Sequence, residues 1–244
     1  MSVYLCHIEP ELLDFEADVL DSQPGRVLLS RSALHPGGGG QVSDVAVLEH
    51  RLGSVHITGV QVDEAEHYWH ILDDPALELA GPVAVHIDRD RRSRVAQLHT
   101  DSHILNALVY DRFDGALVTG AQINGDGVAR MDFDLPGADN DKLREIEPAL
   151  NAIIKEAAEV RASYVPAAEA EATPGLIRSL SVAPPPTPEG QLRIIEIVGI
   201  DRQACGGTHL KNTGESLPVR ITKVENKGRR NRRVRLALAD PASQ

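Results

Sequence analysis

Up to about residue 88, apolar and polar positions alternate in short runs, and turn residues separate each run from the next. The runs 12–20, 26–30, 45–48, 55–62, 68–72 and 83–87 are therefore expected to be strands. Gln23-Pro24-Gly25, four consecutive glycines at 37–40 and Asp73-Asp74-Pro75 punctuate them. Such close spacing predicts a small barrel or sandwich. Past Asp88 the period lengthens: Val95, Leu98, Ser102, Leu105 and Val109 recur at helical spacing, which predicts a helix over 91–110.

The runs 116–123 and 128–135 flank Asn124-Gly125-Asp126-Gly127, the turn chemistry of a hairpin. A second helical pattern, 141–160, places Leu143, Ile146, Leu150, Ile153, Ile154 and Ala157 on one side, and Pro148 either kinks it or marks its true start. Pro184-Pro185-Pro186-Thr187-Pro188 reads as a stiff loop, not a linker, because strands resume at 192–198, 217–224 and 233–239. The expected fold class is α+β, with a small β-barrel domain over 1–88 and an α+β domain over 89–244. The barrel domain carries the glycine-rich motif.

Composition narrows the class. A 244-residue chain with 42 % hydrophobic and 25 % charged residues can bury a real core. No apolar run approaches the ~18–20 residues of a membrane helix, and no basic, then apolar, leader opens the sequence, so the expected compartment is the cytoplasm, with no membrane partner. Cys6 and Cys205 cannot build a disulfide framework. The net charge of −11 argues against a duplex-DNA coater. RNA stays open, because positive charge is clustered. Arg89, Arg91, Arg92 and Arg94 precede the first helix, and residues 220–235 hold eight Lys or Arg, including Arg229 and Arg230, against the single acid Glu225. These clusters are either phosphate contacts or solvated faces.

His99 and His103 are four apart on the expected helix, so both imidazoles project from one face. A hundred residues on, Cys205-Gly206-Gly207-Thr208-His209 sets a thiol and an imidazole four apart across two glycines, which suit a tight turn better than a helix. One thiolate and three imidazoles form a donor set suited to Zn²⁺. Taken singly, Cys205 would be a small buried hydrophobe and each histidine a satisfied core residue; two pairs at equal spacing point to a metal.

Together, His99-Thr100-Asp101-Ser102-His103 and Cys205-Gly206-Gly207-Thr208-His209 resemble the editing domain of alanyl-tRNA synthetase and its free-standing relatives, the alanyl-tRNA editing proteins. The likeness extends to residues 199–204 and 210–215 around the second motif, to the basic run Arg233-Val234-Arg235-Leu236, and to Pro36 through Gln41 with Asp44. Gln122, followed by the hairpin and Met131-Asp132-Phe133, sits where the family has a glutamine at its aminoacyl pocket. The chain departs from the pattern at Asp101, where the family has a small apolar residue, and at His35-Pro36-Gly37, where it has an aromatic-Pro-acidic lead. Asp101 is expected on a polar helix face. No aminoacylation or anticodon-binding domain fits in the remaining chain, so the likeness is to the free-standing enzymes.

The resemblance implies hydrolysis, in trans, of the ester on the acceptor end of tRNA(Ala) carrying a wrong amino acid, chiefly serine, with glycine a second candidate left open, and with one zinc ion. Its ligands would be His99, His103, Cys205 and His209. Four protein ligands resemble a structural site, so either they do not all bind at once or the zinc positions substrate without activating water. Gln122 is the candidate hydrogen-bonding group for the substrate, and Thr119 could read the serine hydroxyl or be an ordinary strand residue. Asp201 would orient a ligand histidine or cap a turn. Gly38, Gly39, Gly40 and Gln41, with Arg91, Arg92, Arg229 and Arg230, are the candidate contacts to the acceptor end. Two rival readings remain: a zinc-stapled RNA-binding module without catalysis, and a deacylase of another aminoacyl-tRNA.

Overall fold

The alternating runs of the first ninety residues close on themselves. In the computed structural model, which describes residues 2–180 and 184–239, the strands of this region are β1 (Val3–Tyr4), β2 (Asp14–Gln23), β3 (Arg26–Leu29), β4 (Arg31–Ser32), β5 (Ala46–His50), β6 (Gly53–Val62), β7 (Tyr68–Leu72) and β8 (Gly81–Ile87). Six of them form a closed barrel in the order β2-β3-β7-β6-β5-β8, every neighbour antiparallel. Closure leaves no edge strand to protect. One residue in two points inward, and Phe15, Val27, Leu29, Leu48, Ile57 and Val85 build an apolar interior. All six expected strands are present, displaced by a few residues at their ends. The two-residue pair β1 and β4, parallel to each other, is too short to carry a periodic signal.

The rest of the chain is mixed. It comprises α1 (Arg89–Arg112), β9 (Val118–Ile123), β10 (Val128–Asp134), α2 (Asn140–Arg144), α3 (Glu147–Lys155), β11 (Val160–Pro166), α4 (Ala167–Ala172), β12 (Gln191–Ile197), β13 (Asp201–Ala204), a 3₁₀ turn (Thr213–Glu215), β14 (Val219–Lys227) and β15 (Asn231–Leu238). One sheet runs β14-β15-β10-β9 and a second β11-β12-β13. The chain divides into two units, one holding residues up to Gly38 and Val42–Ser93, the other Gly39–Gln41 and everything from Arg94. The division thus falls inside α1, one turn past the boundary expected at 88/89, and assigns the end of the glycine run to the second unit.

The helix expected over 141–160 is corrected. It is two helices broken at Ile146, and Pro148 lies in the first turn of α3, where its missing N–H costs nothing. The helix ends at Lys155, and Ala157 takes a left-handed conformation at φ 54°. The continuing residues form β11, whose mostly exposed side chains hide any period of two. The proline stretch 184–188 is irregular, as expected. His67 is a surface residue paired to Asp63, whereas His70 is buried, bonded to Ser32 Oγ at 2.7 Å and lowered by burial to about 4.

Candidate metal centre

Asp88 caps α1 by accepting the Arg91 N–H at 2.9 Å, and the helix begins at Arg89, two residues before the expected start. From Val95 to Ala107 every residue is buried, polar and apolar alike. This explains why the helix lacks a clean apolar stripe: its polar face is enclosed too, and each group there needs a partner. That face carries His99, Thr100 and His103.

The second half of the cluster follows β13. Strand pairing with β12 brings the chain to Cys205, whose N–H is held by Arg193 O at 3.0 Å. The buried Arg193 guanidinium then donates to the carbonyls of Cys205 and Gly207 at 3.0 and 2.9 Å and fixes the loop. Gly207 is obligatory, because a Cβ there would overlap the His99 imidazole and sit 2.7 Å from Gln41 Oε1.

His99, His103, Cys205 and His209 place one donor atom each within 4.8 Å of one another. Cys205 Sγ lies 3.4 Å from His99 Nε2 and 3.3 Å from His209 Nε2. A tetrahedral zinc with usual bond lengths separates its sulfur and nitrogen ligands by about 3.5 Å. The outer nitrogens are all spoken for. His99 Nδ1 meets Gln41 Oε1 at 2.7 Å, His103 Nδ1 meets Asp201 Oδ2 at 3.1 Å, and His209 Nδ1 meets Thr100 Oγ1 at 3.3 Å. Thr100 gives its own proton to Ala96 O at 2.9 Å, so its oxygen accepts from His209. Each Nδ1 therefore carries a proton, which leaves Nε2 as the nitrogen that faces the sulfur and would bind a metal.

Charge agrees with this geometry. Burial alone would raise the Cys205 thiol, yet His99, His209 and His103 hold it well below its ordinary value, which favours the thiolate. The Gly207 N–H points at the sulfur from 3.4 Å. Burial would lower His103, but the thiolate and Asp201 outweigh it and push it up to about 10. His209 is lowered, first by burial and then by His99. Without a metal the cluster holds a thiolate beside an imidazolium, and a cation taking its place would displace that proton.

A family model described as the threonyl and alanyl tRNA synthetase second additional domain matches residues 192–235, which include Cys205 and His209. The chain is 38 % identical over 223 residues to the alanyl-tRNA editing protein AlaX-M of Saccharolobus solfataricus, covering 91 % of this chain and 92 % of that one. It is 36 % identical to the AlaX-M protein of Methanosarcina acetivorans, covering 98 % of this chain and all of that one. The chain belongs to the AlaX-M family of alanyl-tRNA editing proteins. It also matches the alanine–tRNA ligase of Korarchaeum cryptofilum at 35 % identity, but spans 24 % of that longer protein.

Against the family pattern, several residues sit where the sequence did not place them. Gln41, expected at the acceptor end, is 4 % exposed and bonded to His99 and Thr208. Arg92, expected on a phosphate, is 5 % exposed and committed to Asp44 and to Ala33 O, so it is corrected to a structural residue. Arg230 is exposed but paired with Asp134 at 2.6 Å, and Arg229 is exposed. Arg91 is half-buried. Gly38 and Gly39 are exposed with positive φ, as a tight turn requires.

Asp101 is not on a polar helix face. It is fully buried, accepts from Ser216 Oγ at 2.8 Å, and burial pushes its carboxyl up to about 8. Asp201 is the carboxylate on His103, held in turn by Gln203 at 2.6 Å and Arg178 at 3.0 Å. Gln122 is exposed and bonded to Arg130 and Asn124, with no hydrogen bond to the cluster. Thr119 is the bulged residue of β9: the pairing with β10 passes from Gly120 to Val118 and skips it, and its Oγ1 is buried without a partner. Thr100 and Arg193 were missed altogether. A threonine beside a ligand histidine and an arginine in a strand carry no signal of their own.

Proposed function

We propose that this protein is a trans-editing hydrolase that removes a wrong amino acid, chiefly serine and also glycine, from tRNA(Ala), using one zinc ion held by His99, His103, Cys205 and His209. The observation that supports this most is the set of three Nε2 atoms turned toward one thiolate in a chain whose near-full-length relatives are named alanyl-tRNA editing proteins. When bound there, zinc supplies a Lewis acid that polarises an ester oxygen or a water. The chain does the rest. Gln41, Asp201 and Thr100 hold the ligand rings in register through their Nδ1 protons.

Thr119 is the better candidate to read the serine hydroxyl. A buried hydroxyl without a partner is costly, and a substrate hydroxyl would satisfy it. Alanine would leave it orphaned, and glycine would enter on size alone. Gln122 remains the candidate partner for the substrate's polar groups. The exposed Arg220, Lys227 and Arg229 take no part in the ion pairs of the described residues and are the free cations for tRNA phosphates. Gly38 and Gly39 offer backbone N–H groups to the acceptor end. No helix among the described residues is long and apolar enough to cross a membrane. The cytoplasm, where charged tRNA is used, is the proposed site of action, with no DNA or membrane partner.

Thr119→Val tests the reading. It should lower kcat/KM on Ser-tRNA(Ala) about tenfold or more, the loss of about 1.4 kcal/mol, and leave Gly-tRNA(Ala) within twofold. Equal losses on both esters would remove Thr119 from recognition. The four-ligand set also suits a structural zinc in an RNA-binding module without catalysis, and absence of any deacylation despite zinc and tRNA binding would favour that reading.

A further inference from the structure

Gln41 comes from a segment that belongs to neither ligand motif, yet it touches both. Its Oε1 accepts from His99 Nδ1 at 2.7 Å and from the Thr208 N–H at 2.9 Å, and its Nε2 donates to Thr208 Oγ1 at 3.0 Å. Both lone pairs of the carbonyl and one of two N–H groups are thereby used inside the protein. At 4 % exposure it has little left to offer a phosphate or an amino acid.

The glycines on either side make room for this placement. Gly40 has φ +93°, and a Cβ on it would fall 2.8 Å from the Ala121 backbone. Its carbonyl accepts the Ile123 N–H at 2.8 Å, and Gln41 pairs with Ile123 as a bridge, so this short segment lies along the end of β9. Gly207 clears the other side, where any side chain would displace Gln41 or His99. Two glycines far apart in sequence thus flank one amide.

We infer that Gln41 is a positioning residue of the metal centre: it fixes His99 with Nε2 facing Cys205 and pins the 205–209 loop through Thr208, so that helix and loop present their ligands together. The glycine-rich segment then serves the metal and not the acceptor end alone. This rests on the reading of the cluster as a zinc site, and the test separates the two.

Wild type, Gln41→Met and Gln41→Glu are compared for Zn²⁺ affinity by competition with a chromogenic chelator, and for the visible absorption of their Co²⁺ forms. Gln41→Met, similar in size but without an acceptor, should bind Zn²⁺ about 10–100-fold more weakly and shift the Co²⁺ bands. Gln41→Glu, which restores an acceptor for His99 and Thr208, should stay within threefold of wild type or bind more tightly. On Ser-tRNA(Ala) at limiting zinc, the Met variant should lose kcat with KM unchanged. If Gln41→Met does not fold, Gln41→Asn, too short to reach both partners, should show the same loss. Unchanged Zn²⁺ affinity and Co²⁺ bands with a raised KM would overturn the inference and make Gln41 a substrate contact. A wild type that binds neither ion would overturn the zinc reading itself.

Discussion

His103→Ala and Cys205→Ala are each expected to lose the zinc and, with it, deacylation. Structural zinc sites bind with about 10–16 kcal/mol, so one of four ligands carries on the order of 3–4 kcal/mol, a weakening of more than a hundredfold. The two changes also leave different damage. Removing Cys205 deletes the only thiolate of the set and leaves three imidazoles facing each other, His99 and His209 with centroids 4.3 Å apart. Removing His103 takes a partner from Asp201, a buried carboxylate left, among the described residues, with Gln203 and Arg178. Zinc per chain after dialysis against a weak chelator reads the result, and retention of one full equivalent by either variant would show that the residue is not a ligand. Since a metal must displace the proton that His103 holds at an affinity raised to about 10, zinc retention should fall as the pH is lowered.

Asp44→Ala should be among the most destabilising single changes in the barrel unit, costing about 3–5 kcal/mol. Asp44 is 2 % exposed and takes both Nε and Nη2 of Arg92, with Nε at 3.0 Å from each oxygen, besides the His35 N–H at 2.6 Å. Alanine would leave the buried guanidinium with the Ala33 and Pro10 carbonyls but no counter-ion, and would remove the carboxylate that accepts the His35 N–H. Pairing with Asp44 outweighs the burial that would lower Arg92, and the residue stays charged. Equilibrium unfolding by urea checks the size of the effect. The double replacement Asp44→Leu with Arg92→Met should be milder than Asp44→Ala, because it removes both charges at once. A loss under 1 kcal/mol for the single variant would mean that Arg92 finds solvent, as a phosphate contact would.

The same arginine shows where sequence reading stops. Arg89, Arg91, Arg92 and Arg94 look alike as a basic run, and only the fold reveals that Asp44, forty-eight positions earlier, neutralises one of them. The basic run 220–235 is similar. Across the β14-β15-β10 sheet, Arg233 meets Asp132 and Arg235 meets Glu225, so much of its charge is compensated by neighbours that local counting cannot see. The barrel was legible because each strand repeats with period two over a hydrophobic interior. The clustering of His99, His103, Cys205 and His209 was legible because a metal site would impose just such residue types and spacing. Strand β11 was not, since as an edge strand it exposes nearly every side chain. Asp101 was misplaced because a helix buried on all sides obeys no amphipathic pattern. The Thr119 bulge depends on a register that only pairing with β10 creates. Gln41 was expected at the acceptor end, and its contact with His99, fifty-eight positions away, carries no local signal.

Release of serine from tRNA(Ala) separates an editing hydrolase from a module that only binds. Zinc-loaded protein in excess should deacylate Ser-tRNA(Ala) in a single turnover at least a hundredfold faster than Ala-tRNA(Ala), followed by loss of labelled amino acid from the tRNA. Removal of zinc should abolish the fast phase, and its return should restore it. Equal rates on the two esters, or a rate unaffected by removing the metal, would contradict zinc-dependent editing.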